Sequence, residues 1–250
     1  MNAIYSCISE GHDRILLLIA ALVCSIGVYA SFSVAQHAGR LDGCTRTWWS
    51  VVAIVAAGST AWATHMIALL AFRPGMLSGF DPVMTAASLI LTIVGIGTAV
   101  GTAISTRHRS RRLISGFILG LSITLLHHLG QSAYLVTGQT GWNDSLVALS
   151  ILLSMPLICG AMVFAGERRR GLRHLAAPSL VIGIAILHFT GMTALQLQFD
   201  PSIDLPPQPF RRTSLPLLSL QWAQDCWYWQ STACASAWLP AFDFGATSFG

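Results

Sequence analysis

The stretch Ala185-Ile-Leu-His-Phe-Thr-Gly-Met-Thr-Ala-Leu195 sets a histidine in the second half of an apolar run, residues 175–197, that holds no acid, lysine or arginine. At 1.5 Å per helical residue such a run crosses a hydrocarbon core of about 30 Å. An imidazole at that depth is costly and marks function by default. The same arrangement occurs twice upstream, in Thr124-Leu-Leu-His-His-Leu-Gly-Gln-Ser-Ala-Tyr134 and in Trp62-Ala-Thr-His-Met-Ile-Ala-Leu-Leu-Ala-Phe72. His65, His127 and His188 are thus spaced by 62 and then 61 residues. Small residues follow each histidine at three and six places, at Ala68 and Ala71, Gly130 and Ala133, and Gly191 and Ala194. Such residues let membrane helices approach closely, so this face is expected to pack inward.

The composition places the whole chain in a membrane: 54% of its 250 residues are hydrophobic, only 10% are charged, and the mean hydropathy is +0.63. Six segments are long enough to span, near residues 15–36, 48–72, 83–105, 113–136, 145–166 and 175–197. The expected fold is an all-α polytopic membrane helix bundle of three two-helix repeats, each unit one inward and one outward helix, and the sensory domain occupies residues 10–200. The first span lacks the leading positive region of a cleaved signal peptide and is expected to stay.

Arginine sets the orientation, because all fourteen basic residues are arginines and most of them cluster. Ten lie in alternate loops: Arg40 and Arg46; Arg107, Arg109, Arg111 and Arg112; Arg168, Arg169, Arg170 and Arg173. These loops are expected in the cytoplasm of a bacterial cell, with the N-terminus on the periplasmic side of the inner membrane. The clustering reads as topology and not as a nucleic-acid surface. Spans two, four and six then run outward, and each histidine sits seven to nine residues before its outer end, roughly 10–14 Å deep. The three imidazoles are expected in one layer of the outer leaflet.

The segment Leu187-His-Phe-Thr-Gly-Met-Thr-Ala-Leu195 resembles the repeated signature of the MHYT family of bacterial membrane sensors, and the span number, repeat length and motif position extend that resemblance over residues 10–200. It implies a non-enzymatic integral-membrane sensor, of a kind usually joined to cytoplasmic domains that make or degrade cyclic di-GMP. It also implies copper, and through it a diatomic gas such as oxygen, carbon monoxide or nitric oxide, as ligands, with a cytoplasmic signalling protein as partner.

The chemistry can be read from the residues too. His188 and Met192 stand four places apart and share a helix face, offering an imidazole and a thioether, a donor pair that suits soft copper. The chain departs from the family pattern elsewhere: the methionine expected four places after the histidine is Leu69 in the first unit and Gln131 in the second. Met66 and His128 are substitute donors, each about 100° around its helix from the neighbouring histidine. For a single membrane histidine the plainer reading is a hydrogen bond to a carbonyl or to Thr64, Thr124 or Thr190; three in register favour a shared site. The candidate metal ligands are therefore His65, His127, His188 and Met192, with Met66 and His128 behind them. His12, His37, His108 and His174 read as solvated or headgroup-facing, and Cys24 and Cys159 as packing.

The same histidines would also serve a metal-ion or proton transporter or channel, although no acid lies inside the spans to relay charge. Haem is a minor alternative cofactor. No nucleophile and base suggest catalysis. After Asp200 the character changes: prolines 201, 206, 207 and 209 precede a stretch with Trp222, Trp227, Trp229 and Trp238. This Pro/Trp-rich tail, 201–250, fits an interfacial segment, a degenerate seventh helix or the product of a truncated or frameshifted gene. Cys226 and Cys234 within it would form a disulfide if exposed to an oxidising periplasm.

Overall fold

The computed structural model describes residues 11–106, 108–203, 210–211, 224 and 228. The seventh helix, the tryptophan anchors and the Cys226–Cys234 disulfide expected of the tail lie outside the described residues. The helices are α1 (Arg14–Ala38), α2 (Gly43–Ala71), α3 (Pro82–Ile104), α4 (Arg109–Ser132), α5 (Asp144–Ala165), a short α6 (Arg170–His174) and α7 (Ala176–Ala194). Six spans are long and apolar enough to cross a membrane, the last formed by α6 and α7 together.

The helices α1, α3 and α5, the first of each repeat unit, start where a side chain can satisfy the free N–H groups of a first helical turn. Asp13 caps α1 by accepting from the backbone of Ile15 and Leu16. Asp81 does the same for α3 through Met84, and Asn143 for α5 through Leu146. The three caps then bind the repeat units shut. Asp13 N donates to Ala71 O at 2.7 Å, Asp81 N to Ala133 O at 2.9 Å, and Asn143 N to Ala194 O at 2.9 Å. Each acceptor is the small residue six places after a histidine, so the same bond closes α1 on α2, α3 on α4 and α5 on α7. The threefold repeat is thereby a repeat of structure.

Spans four and six end earlier than the hydropathy suggests. Residues 134–136 are strand β2 (Tyr134–Val136), pairing antiparallel with β1 (Ser78–Phe80), which also takes up β5 (Phe210–Arg211). The end of the sixth span is β4 (Leu195–Phe199), paired with β3 (Gly138–Trp142). The reason is local: Leu195-Gln-Leu-Gln-Phe199 alternates apolar and polar with the period of a strand, and Tyr134-Leu-Val136 favours extended backbone. With these ends corrected the histidines stand six, five and six residues before the ends of α2, α4 and α7, a depth of roughly 8–9 Å.

The helices form a ring in the order α1, α2, α3, α4, α5, α7, and each packs mainly on its neighbours in that order. The seam between α7 and α1 is the thinnest. Histidine-bearing spans form the inner set: 44–67% of their most apolar windows are buried, against 17–33% for α1, α3 and α5. The outer helices turn Leu18, Leu22, Ile90, Val94 and Leu152 outward, as a lipid-facing surface requires. One apolar cluster, including Met66, Leu69, Phe80, Leu126, Tyr134 and Met192, fills the bundle beyond the histidines under the strands. A second, including Ile96, Leu119, Ile123, Ile158 and Leu187, fills it toward the arginine-rich end.

Candidate metal centre

Because α2, α4 and α7 run in one direction and are closed by the same bond, their histidines reach one level. His65, His127 and His188 are 7%, 2% and 8% exposed, and a candidate ligand nitrogen from each lies within 4.8 Å of the others. Ring centroids are 5.3 Å apart for His65 and His127, 5.3 Å for His127 and His188, and 5.9 Å for His65 and His188. Imidazoles sharing one ion at about 2.0–2.1 Å would have centroids roughly 5–5.5 Å apart.

The rings come this close because two glycines make room. A Cβ on Gly130 would run into Nε2 of His65, and one on Gly191 would run into Nε2 of His127. The histidine of the first unit therefore seats on the second unit, and that of the second unit on the third. At the corresponding place in the first unit stands Ala68.

All three Nε2 atoms are buried and make no hydrogen bond. Buried polar atoms are seldom left so, and the neighbouring threonine hydroxyls do not serve them. Thr124 Oγ1 donates to Gly120 O at 2.8 Å, and Thr64 Oγ1 is itself buried without a partner. Interhelical hydrogen bonding, the plainer reading of a lone membrane histidine, does not account for the trio.

The other sequence candidates are placed differently. The Met192 thioether accepts a hydrogen bond from Gln131 Nε2 at 3.1 Å, and the same amide reaches Gly191 O at 3.4 Å. Gln131 occupies the position of the expected methionine, and its buried amide turns to the nearest acceptors; the imidazole and thioether of the third unit are thus not a free pair. Met66 packs in the apolar cluster with Met192. The His128 ring lies against His127 and Trp142, with centroids at 5.2 and 5.3 Å, so it borders the trio without joining it. Among the described residues the only cluster of three or more metal-ligating side chains is His65, His127 and His188.

His12, read from sequence as a solvated histidine, is instead 4% exposed. It bridges to Phe72, and its ring stands 5.4 Å from Phe72, 6.1 Å from His188 and 6.0 Å from Phe189. The repeat explains the placement. His12, Phe80 and Trp142 each precede a helix-capping residue, and they pair in turn with Phe72, Tyr134 and Leu195, each seven places after a histidine. A ring belongs at this position in every unit, and in the first unit it is an imidazole. The signal was present in the sequence as the residue before each cap.

The sequence model of MHYT, described as a bacterial signalling protein N-terminal repeat, matches residues 58–116 and 120–178. Each match begins seven residues before a histidine of the layer, His65 or His127. The chain carries two MHYT repeats. Its relatives include an uncharacterized signalling protein of Caulobacter vibrioides, 32% identical over 204 residues, which are 81% of this chain and 25% of that protein. Two more are from Pseudomonas aeruginosa. The cyclic di-GMP phosphodiesterase NbdA is 27% identical over 77% of this chain and 26% of its own length. The bifunctional diguanylate cyclase/cyclic di-GMP phosphodiesterase MucR is 27% identical over 75% of this chain and 28% of its own length. The chain spans about a quarter of the length of these relatives. No solved structure matches it.

Proposed function

We propose that this membrane signalling module is a non-enzymatic sensor that holds one metal ion, copper, between His65, His127 and His188, and signals from there to a cytoplasmic partner. The observation that carries this reading is the convergence of one ligand nitrogen from each of three buried imidazoles, whose Nε2 atoms have no hydrogen-bond partner. Three imidazoles fit copper and would also accept zinc, so the donor set defines a borderline site and not a soft one. When bound, the metal would supply an open coordination position for a diatomic gas. The protein's own part is to hold the three rings on separate repeat units and to keep water away with the apolar cluster beyond them.

In the expected orientation, inner membrane with the N-terminus periplasmic, the layer lies in the outer leaflet and the arginine-rich loops face the cytoplasm. A ligand that draws the rings together favours one arrangement of α2, α4 and α7 over another, which is the differential affinity signalling requires. The two relatives that act on cyclic di-GMP support a cyclic di-GMP enzyme or regulator as the partner. The test is metal content: the purified full chain should retain about one copper per chain, and the His65→Ala, His127→Ala, His188→Ala triple variant should retain none. Equal copper in the folded triple variant would overturn the assignment.

A further inference from the structure

One large cavity of about 570 Å³ runs inside the ring from the histidine layer to the arginine-rich end. It is in the range of sites that hold whole small molecules. Its wall is apolar, with Val28, Phe32, Ile96, Leu119 and Ile184 among its lining residues, and both α1 and α7 line it on either side of the thinnest seam in the ring. One end meets His65, His127 and His188. The other is ringed by Arg40, Arg112, Arg168 and Arg173, with Glu167 as the one acid among them. Arg112 and His127 are fifteen residues apart on α4, so the distance between the two ends is roughly 22 Å.

The arginines are not consumed by the fold. Among the described residues the one ion pair is Arg73 with Asp13, at the opposite end of α1. Arg112 lies over Gly166, where a Cβ would collide with its guanidinium, and its NH1 donates to Met162 O at 3.4 Å. Its Nε is buried with no partner. A guanidinium so placed matches a carboxylate or phosphate, whereas the wall beyond it would reject a ligand that is polar throughout.

We infer that this cavity is a binding site for an anionic amphiphile, one long acyl chain lying along the apolar wall toward the histidines and its acidic head held by Arg112, Arg173 and Arg40. The seam between α1 and α7 is its way in from the surrounding bilayer. The site stands independently of any metal at the histidine layer.

The test uses the full chain, purified and delipidated in a mild detergent, with the fluorescent fatty acid cis-parinaric acid as probe. Its emission should rise saturably, and stearylamine should not displace it. Displacement by stearate alone would identify a free fatty acid as the occupant, and displacement by lysophosphatidylglycerol a single-chain anionic phospholipid. Arg40→Gln with Arg173→Gln, which removes no hydrogen bond seen within the protein, should weaken binding by at least about tenfold. Ala185→Phe, which fills the cavity from α7, should abolish it while the thermal unfolding transition is kept. Absent saturable binding, equal displacement by stearylamine, or unchanged affinity in both folded variants would each overturn the inference.

Discussion

Replacing Gly130 by alanine adds one methyl group at the point where α2 and α4 exchange a histidine. The new Cβ would lie 2.7 Å from Cδ2 of His65, and closer still to its Nε2, where ordinary contact needs 3.4–4 Å. The imidazole must therefore withdraw by roughly 1 Å, about five times the 0.2 Å within which metal–ligand distances hold. Overpacking costs about 1–3 kcal/mol and the gain in helix propensity returns about 1 kcal/mol, so the variant should fold. Its copper affinity should fall by at least about 100-fold, the upper end of what disturbing a ligand's support costs. Gly101→Ala is the matched control, since nothing lies within 4 Å of a Cβ there. Competitive titration against a chelator of known affinity, with circular dichroism on the same samples, reads both effects. A folded Gly130→Ala protein whose affinity stays within about threefold of the original, under 1 kcal/mol, would show that the ring contacts do not set the site.

Gln131→Met should release the Met192 thioether and add a second one, raising retention of silver(I) relative to zinc in a two-metal competition; an unchanged ratio would mean the hydrogen bond to Met192 does not tune the site. Ser88→Ala should leave the buried Trp62 Nε1–H, now 3.0 Å from Ser88 Oγ, without its acceptor and cost about 1–2 kcal/mol in denaturant unfolding. Trp62→Phe on that background should recover much of the loss. His12→Phe should leave stability within about 1 kcal/mol of the original, because Phe80 fills the equivalent position in the next unit. The Asp13 carboxyl is held below its ordinary value of 3.8, first by the backbone N–H of Leu16 and also by Ile15 and Arg73. A depressed carboxyl stabilises the fold above its unfolded value and loses that contribution as pH falls through the folded one. Asp13→Asn should therefore flatten the decline in melting temperature below about pH 4 and be least stabilising, relative to the original, near neutrality.

The inner helices were legible because the cost of a histidine in hydrocarbon leaves few explanations, and because apolar length and arginine clustering act on scales a sequence displays directly. The layer followed from equal spacing. Legibility stopped where contacts depend on which ring reaches which glycine. The amide of Gln131 diverting Met192 is set by two side chains 61 residues apart, and nothing near either residue announces it. The early ends of α4 and α7 were a different matter: mean hydropathy treats Leu195-Gln-Leu-Gln-Phe199 as more span, while its alternation points to a strand. The burial of His12 depends on the register that aligns it with Phe80 and Trp142, which only the paired strands display.

The hand-over of rings between units also orders events during synthesis. A nascent chain with only its first two hairpins holds both partners of the His65–Gly130 contact, but His127 still lacks Gly191 as its rest. Only with α7 do all three imidazoles meet. Competence to bind the proposed metal would therefore be acquired in one step, when the last of the three helices is in place.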